Sequence, residues 1–546
     1  MALSQLLIVM IGAIAVTIVA ERRNIQPPLL LALVGLAVSF VPGFRRIELE
    51  PDVILAVMLP PLLFSAASEF SFESFARRLG SIINLGVLLV IVTTGVVGLV
   101  GFWLVPALTL PGAMVLAAVV SPPDAVTAVA IGQRLGLPER VMTVLKGESL
   151  INDAAALTLF AFATASVTGV RLFIPNLFLY LIYSAVVGVL VGMALAVIVH
   201  RIRQRLTNAS LSTVLSVLVP FAAYLVAEEL GASGVLAVVA AGFTLGHHVS
   251  GAAYDARIQE RQFWHTTDAL LEAFIFAYIG LQFRFVLEDA ARSGVGLTAT
   301  IGISLAVLAA VIVVRLAWIF LTGALAAWRY PKVAALRAQL PAGDRRLRRD
   351  FYPPFSWREN LVLGWTGMRG VVTLAAAAGI PLTALDGTAF PGRDIAVVVA
   401  FVVTIGTLLL QGLTLPWLIS RLNISDPADA TRRQAQGKLA QKLMREAMAA
   451  KVTSFRDTHP SQEARQVADR MLLRFTAENQ ADAPADPARN ALMLDLTRQA
   501  LGARRVALIK ARDERRIDDD VMREELEKMD LEEAVVANWT PDRFGR

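Results

Sequence analysis

Cysteine is absent from all 546 residues. That excludes disulfides, thiolate metal sites and a cysteine nucleophile, and it leaves the redox compartment open. Charge is scarce too, with Asp, Glu, Lys and Arg making up 18% of the chain, against about 25% in soluble domains. Histidine is sparse: His200, His247, His248, His265 and His459 stand at no metal-ligand spacing with carboxylates, which argues against a structural zinc site. No G-x-x-x-x-G-K-[ST] loop occurs, so an ATP-driven machine is disfavoured. The residues present suggest no cofactor.

What the chain has is apolar length. Hydrophobic residues make up 56% of it. They run in stretches of about 20 residues up to position 420, and Arg, Lys, Asp and Glu crowd 424–546. We read 1–423 as a transmembrane domain and 424–546 as a cytosolic helical domain. The fold class is then an all-α polytopic membrane protein, with the lipid bilayer as its partner. The expected spans are 4–20, 27–42, 51–68, 81–106, 110–131, 141–168, 173–199, 209–231, 233–250, 264–282, 297–328, 358–380 and 394–420, about thirteen in all. Met1–Ala20 lacks a basic leader and an Ala-x-Ala site, so it reads as a first span rather than a signal peptide. In the tail, Leu439, Leu443 and Ala447, and Ala464, Val467, Met471 and Phe475, recur at helical spacing, and Asp482–Pro487 breaks the pattern like a linker.

Basic residues orient the spans. Arg22, Arg23, Arg77, Arg78, Arg134, Arg140, Arg201, Arg203, Arg205, Arg257, Arg261 and the Arg329–Arg358 run supply 19 Lys and Arg to one set of loops. Arg45, Arg46, Arg171, Arg284, Arg292 and Arg393, 6 in all, lie in the other. The first set is cytoplasmic by the positive-inside rule, so an odd span count places the N-terminus outside and the tail inside. The same rule accounts for the net charge of +6, with no need of a nucleic-acid partner.

The membrane domain departs from its own pattern in three places. In the fifth span, Ser121-Pro122-Pro123-Asp124 sets two prolines near the centre, where each removes a donor and clashes with the preceding turn. Unwound backbone at that depth is tolerated where it lines a cavity or binds something. In the sixth span Glu148, Ser149, Asn152 and Asp153 gather at spacings that put Ser149 and Asp153 on one helix face. A site of carboxylates, a hydroxyl and freed carbonyls offers oxygen ligands to a hard cation. The twelfth span is weakened at Gly364-Trp365-Thr366-Gly367-Met368-Arg369-Gly370. Taking the seventh span as a linker, the broken fifth and twelfth helices occupy equivalent positions in two halves, as inverted repeats would. Glu69, Glu73, Asp268 and Lys146 lie near span ends and are expected to snorkel. Arg315 is expected to pair with a carboxylate.

At these residues the chain resembles the cation:proton antiporter-1 family, which includes bacterial and animal Na+/H+ exchangers. Gly147-Glu148-Ser149-Leu150-Ile151-Asn152-Asp153 is similar to its G-E-S-L-x-N-D signature and Met58–Phe64 to its third-span L-P-P motif. Ala227-Glu228 with Ser233-Gly234, and Gly367-Met368-Arg369-Gly370, also match. The resemblance covers about residues 1–420, and Ile517–Glu533 is like bacterial tails. It implies that Asp153 binds cation and proton alternately, that Asp124 and Ser149 line the same site for Na+, and that Asn152 stabilises the broken helices. It also implies a structural ion pair between Glu148 and Arg369, a homodimer in the bacterial cell membrane, and electroneutral one-for-one exchange. Glu228, Ser65 and Ser121 are accessory candidates.

Two departures from the family pattern bear on selectivity. Pro123 precedes Asp124 where many members have Thr-Asp-Pro, and Ser65 stands where many carry an acidic residue. K+/H+ exchange on the same fold is the alternative reading. An intramembrane serine protease is a competitor of another class. It rests on Gly231-Ala232-Ser233-Gly234 followed by His247 and His248, since a Ser–His pair can act as nucleophile and base.

Overall fold

The computed structural model describes every residue except 1, 24, 42–53, 125, 172, 207, 250–252, 293–295, 339–352, 425–426, 460, 477–486 and 539–546. Arg45, Arg46, most of the basic loop before Arg358 and the Asp482–Asp486 part of the linker lie outside the described residues. Each expected span contains helix. In chain order these are α1 Ala2–Arg22, α2 Pro27–Ser39, a π turn Ile54–Met58 leading into α3 Leu59–Glu69, and α4 Phe72–Ile83 joined by a second π turn to α5 Leu89–Leu104. Then come α6 Leu110–Val120, α7 Val126–Arg134, α8 Glu139–Thr168, α9 Leu177–Arg203, α10 Ala209–Glu229, α11 Gly234–His248, α12 Tyr254–Arg292 and α13 Leu297–Ala338. The membrane part ends with α14 Trp357–Trp365, α15 Val371–Ala378 and α16 Arg393–Leu422. The tail folds as α17 Pro427–Thr458, α18 Gln462–Thr476, α19 Pro487–Asp513 and α20 Asp519–Asn538. Among the described residues, 8 helical stretches are long and apolar enough by themselves to cross a membrane.

Local chemistry sets the ends. Pro27 and Pro28 open α2, where their missing N–H groups leave nothing unsatisfied. Thr109 caps α6 by accepting from Gly112 N at 3.3 Å. Ser356 and Glu359 form a capping box at α14, and Glu359 also holds Arg140 through two bonds of 2.7 and 2.8 Å. Gly169 ends α8 at φ 79°. α12 and α13 run well beyond their expected spans of 264–282 and 297–328, because a helix continues through a polar turn once it leaves the apolar layer.

The chain divides into two units. The first comprises Met1–Arg205, Val214–Gly246 and Gln262–Ser425. Its cores alternate along α8: Val141, Val144 and Leu145 pack with α2, α12 and α16, whereas Leu150 and Ala154 pack with α3, α10 and α11. The second unit joins the tail, Asp426–Arg546, to Leu206–Thr213 and His247–Arg261, two short segments that the sequence reading left with the membrane domain. Within it Ala464, Val467 and Met471 are buried as their spacing requires. Arg257 and Asp530 form an ion pair, each side chain 1% exposed.

Candidate functional site

Two interrupted helices meet in the first unit. α6 stops at Val120, before Pro122 and Pro123, and the next described helix is Val126–Arg134. α14 stops at Trp365, and Thr366–Gly370 lead into α15 at Val371. The non-helical segments pair directly, with Asp124 N donating to Met368 O at 2.6 Å. Helix termini come together here, each with unsatisfied backbone groups and a partial charge.

The side chains at this crossing answer those charges. Asp124 Oδ1 accepts from Val126 N at 2.9 Å, and its carboxylate also accepts from Val371 N. One carboxylate thus binds the first residues of α7 and α15. Arg369 serves the opposite polarity: its Nε donates to Val120 O, the last residue of α6, at 3.0 Å, and its Nη1 donates to Gly367 O. Its backbone N–H is held by Thr407 Oγ1 at 3.0 Å. Gly370 is obligatory by close approach, because a Cβ there would collide with the Asp124 carboxylate.

α8 passes beside the crossing. Asn152 is fully buried and donates from Nδ2 to Pro123 O at 2.5 Å, fastening the unwound segment, and its Oδ1 is buried without a hydrogen-bond partner among the described residues. Glu148 is buried on the neighbouring face. Ser149 and Asp153, one turn apart, are only partly buried. Asp153 has no hydrogen-bond or ion-pair partner among the described residues, and it stands within electrostatic reach of Asp124. The arrangement joins an unengaged carboxylate, a hydroxyl and a fixed carboxylate, all hard oxygen donors.

The structure redistributes several expected roles. Glu148 pairs with Arg315 and not with Arg369: Nη1 and Nη2 of Arg315 donate to the two carboxylate oxygens at 2.5 and 3.0 Å. Arg315 also donates to Leu363 O, from Nη2 at 2.9 Å and Nε at 3.2 Å. The reason for the exchange of partners is that Arg369 is occupied by carbonyls at the crossing. Arg315 pairs with a carboxylate as its sequence context suggested. Ser121 is turned away from the site, bonded to Thr94 Oγ1 at 2.9 Å and donating to Ala118 O at 3.1 Å. Glu228 accepts from Gly234 N at 3.0 Å and secures the turn into α11. The protease dyad fails on geometry: Ser233 Oγ accepts from Leu236 N at 3.2 Å as a helix cap, whereas His247 and His248 close the same helix, roughly 20 Å further along at 1.5 Å per residue.

The sequence suggests a different role for Asp268 and does not single out Gln411. Asp268 does not simply snorkel. Its Oδ2 accepts from Ser65 Oγ at 2.6 Å, and its Oδ1 is buried without a hydrogen-bond partner among the described residues. Its i,i+4 spacing with Glu272 was the available signal. Gln411 is fully buried, with neither amide atom partnered among the described residues. It lies between Thr407 and Thr414, which hold Arg369 N and Trp365 Nε1.

Comparison with known proteins follows the same lines. The profile of a family described as "Sodium/hydrogen exchanger, transmembrane" matches residues 6–421. An uncharacterized Na+/H+ exchanger of Mycobacterium tuberculosis is 31% identical over 539 residues, covering 96% of this chain and 95% of its own. A sodium, potassium, lithium and rubidium/H+ antiporter of Bacillus pumilus is 30% identical over 444 residues, 78% of this chain and 63% of its own. The solved structure of the sodium proton antiporter MjNhaP1 from Methanocaldococcus jannaschii at pH 8 covers 77% of this chain and 98% of its own at TM-score 0.56 and 17% identity, a likeness of fold.

Proposed function

The chain belongs to the sodium/hydrogen exchanger family, and from that premise we propose that the crossing exchanges Na+ for H+ by alternating access, with Asp153 as the carboxylate that carries each in turn. The observation that supports this is a contrast of partners. Glu148 is held by Arg315, Asp124 by amides and Arg369 by carbonyls, whereas Asp153 makes no hydrogen bond or ion pair among the described residues. Ser149 and Asp124 complete the oxygen set around the ion. Asn152 and Arg369 keep the crossing in register.

Exchange is one cation for one proton. Asn152 cannot titrate, and the Asp124 oxygens are engaged by two helix ends, which leaves Asp153 as the cycling group. The protein acts as a homodimer in the bacterial cell membrane, N-terminus outside and tail inside; family membership and the loop charge bias support that reading.

The test is exchange in proteoliposomes under an imposed pH gradient with Na+, Li+, K+ and choline in turn. Na+ and Li+ exchange without K+ exchange supports the reading, whereas K+ exchange at equal rate replaces it with the broader selectivity named for the Bacillus relative. A valinomycin potential that drives Na+ accumulation at zero pH gradient would refute the one-for-one count.

A further inference from the structure

α16 carries three polar side chains on one face, Thr407, Gln411 and Thr414, at spacings of four and three. The outer two hold the interrupted span: Thr407 Oγ1 accepts from Arg369 N at 3.0 Å, and Thr414 Oγ1 accepts from Trp365 Nε1 at 2.8 Å. Gln411 stands between them and therefore faces Thr366–Met368, where α14 has ended and α15 has not begun. α16 lies close against that segment, since a Cβ on Gly412 would stand 3.3 Å from Met368 Sδ. Gln411 is 0% exposed, and neither its Oε1 nor its Nε2 has a hydrogen-bond partner among the described residues.

Unmatched groups lie on the segment as well. Thr366 N donates to Val362 O, Met368 O accepts from Asp124 N, and Gly367 O accepts from Arg369. Gly367 N and Met368 N belong to buried residues and donate to nothing among the described residues. An acceptor and donors left unmatched on facing elements are costly at membrane depth. Each such group calls for an explanation, and alternation between two arrangements supplies one. α16 has the means to rearrange here. Pro416 lies inside it and cannot donate to Gly412 O, so the helix is weakened beside Gln411.

We propose that Gln411 is a positioning residue for exchange: in the arrangement that opens the crossing to the opposite side of the membrane, its Oε1 accepts from the backbone of Gly367 or Met368, and its amide takes over the segment as Thr407 or Thr414 releases it. The proposal rests on the alternating-access reading above, and it assigns Gln411 to the conformational step rather than to ion binding.

The test uses the full chain with Gln411→Met, which keeps the side chain's size and removes its amide. Replacing a buried polar group that has no partner by an apolar one of similar shape is neutral or stabilising, so the melting temperature is expected at or above that of the parent. In proteoliposomes the saturated rate of Na+-dependent exchange is expected to fall about fivefold, the loss of one hydrogen bond of roughly 1 kcal/mol in the other arrangement, with half-saturating Na+ little changed. Backbone hydrogen–deuterium exchange of the peptide spanning 366–370, followed during turnover, is expected to be faster in the variant. A parental rate, or parental deuterium uptake in that peptide, overturns the proposal because the amide is then idle. A lower melting temperature or a failure to fold overturns it too, since the amide is then already engaged through water in the resting state. A rise in half-saturating Na+ at unchanged saturated rate places the amide at the ion and likewise overturns it. Asp153→Asn separates the two layers. If Asp153→Asn still transports, the exchange reading itself is wrong; if it is silent while Gln411→Met turns over as the parent, only the role of Gln411 is wrong.

Discussion

Breaking the Glu148–Arg315 pair tests how the broken helix α14 is anchored to α8. Both side chains are 2% exposed and meet through two bonds of 2.5 and 3.0 Å. Removing one partner leaves the other charge buried and uncompensated, which costs about 3–5 kcal/mol. The two single substitutions should differ. In Glu148→Gln the guanidinium keeps its two bonds to Leu363 O. In Arg315→Gln the Glu148 carboxylate loses both its donors and the Leu363 carbonyl loses two more bonds, so this change is expected to lie at the upper end. The double Glu148→Gln, Arg315→Gln protein should be more stable than the sum by about 2 kcal/mol, as for other residues in contact. The assay is reversible SDS-induced unfolding of the full chain, followed by tryptophan fluorescence. A parallel cycle of Glu148→Gln with Arg369→Gln is the control, and its coupling is expected to be smaller. Stronger coupling to Arg369 than to Arg315 would refute the pairing, and strict additivity with Arg315 would show that its two bonds to Glu148 do not form.

Asp153→Asn is expected to abolish exchange while leaving expression and thermal stability near those of the parent, because its carboxylate makes no hydrogen bond or ion pair among the described residues; normal transport by the purified variant sinks the central assignment. Gly370→Ala should also stop exchange, since its Cβ meets the Asp124 carboxylate, whereas Gly302→Ala, where a Cβ meets nothing within 4 Å, serves as the silent comparison. Asp530→Asn should destabilise the tail unit by about 3–5 kcal/mol through its buried pair with Arg257. Limited proteolysis reads this out, and an unchanged cleavage rate of α20 counts against it.

The breaks in the fifth and twelfth spans were legible because their causes are local. Pro122 and Pro123 remove donors whatever surrounds them, and glycines at 364, 367 and 370 weaken α14–α15 in any setting. The face shared by Ser149 and Asp153 follows from helical spacing alone. Partner choice was not legible in the same way. Arg315 and Arg369 both lie in apolar surroundings, and nothing in either neighbourhood says which one reaches Glu148. The answer depends on where α13 passes Leu363 and on the carbonyls that engage Arg369. Asp268 was misjudged for a related reason. Position near a span end suggests snorkelling, yet its bond to Ser65 joins residues 203 positions apart, and a contact of that range leaves no periodic trace.

The crossing also explains why two aspartates so close together need not do the same work. Every helix end brought to a midplane presents a partial charge of about half a unit, and in lipid no water is there to answer it. Asp124 meets the amides of Val126 and Val371, and Arg369 meets the carbonyls of Val120 and Gly367. One acid and one base thus neutralise helix ends of opposite polarity. Altering either charge would unbalance the framework itself, because each side chain holds backbone from two segments. Asp153 projects from the unbroken helix α8 and, among the described residues, bonds to neither segment, so under the proposed exchange its charge would be balanced by a cation, then by a proton, without disturbing the crossing. On that proposal, tight coupling of cation to proton needs no second titrating group: the framework charges would stay constant, and one carboxylate cannot hold both ligands at once.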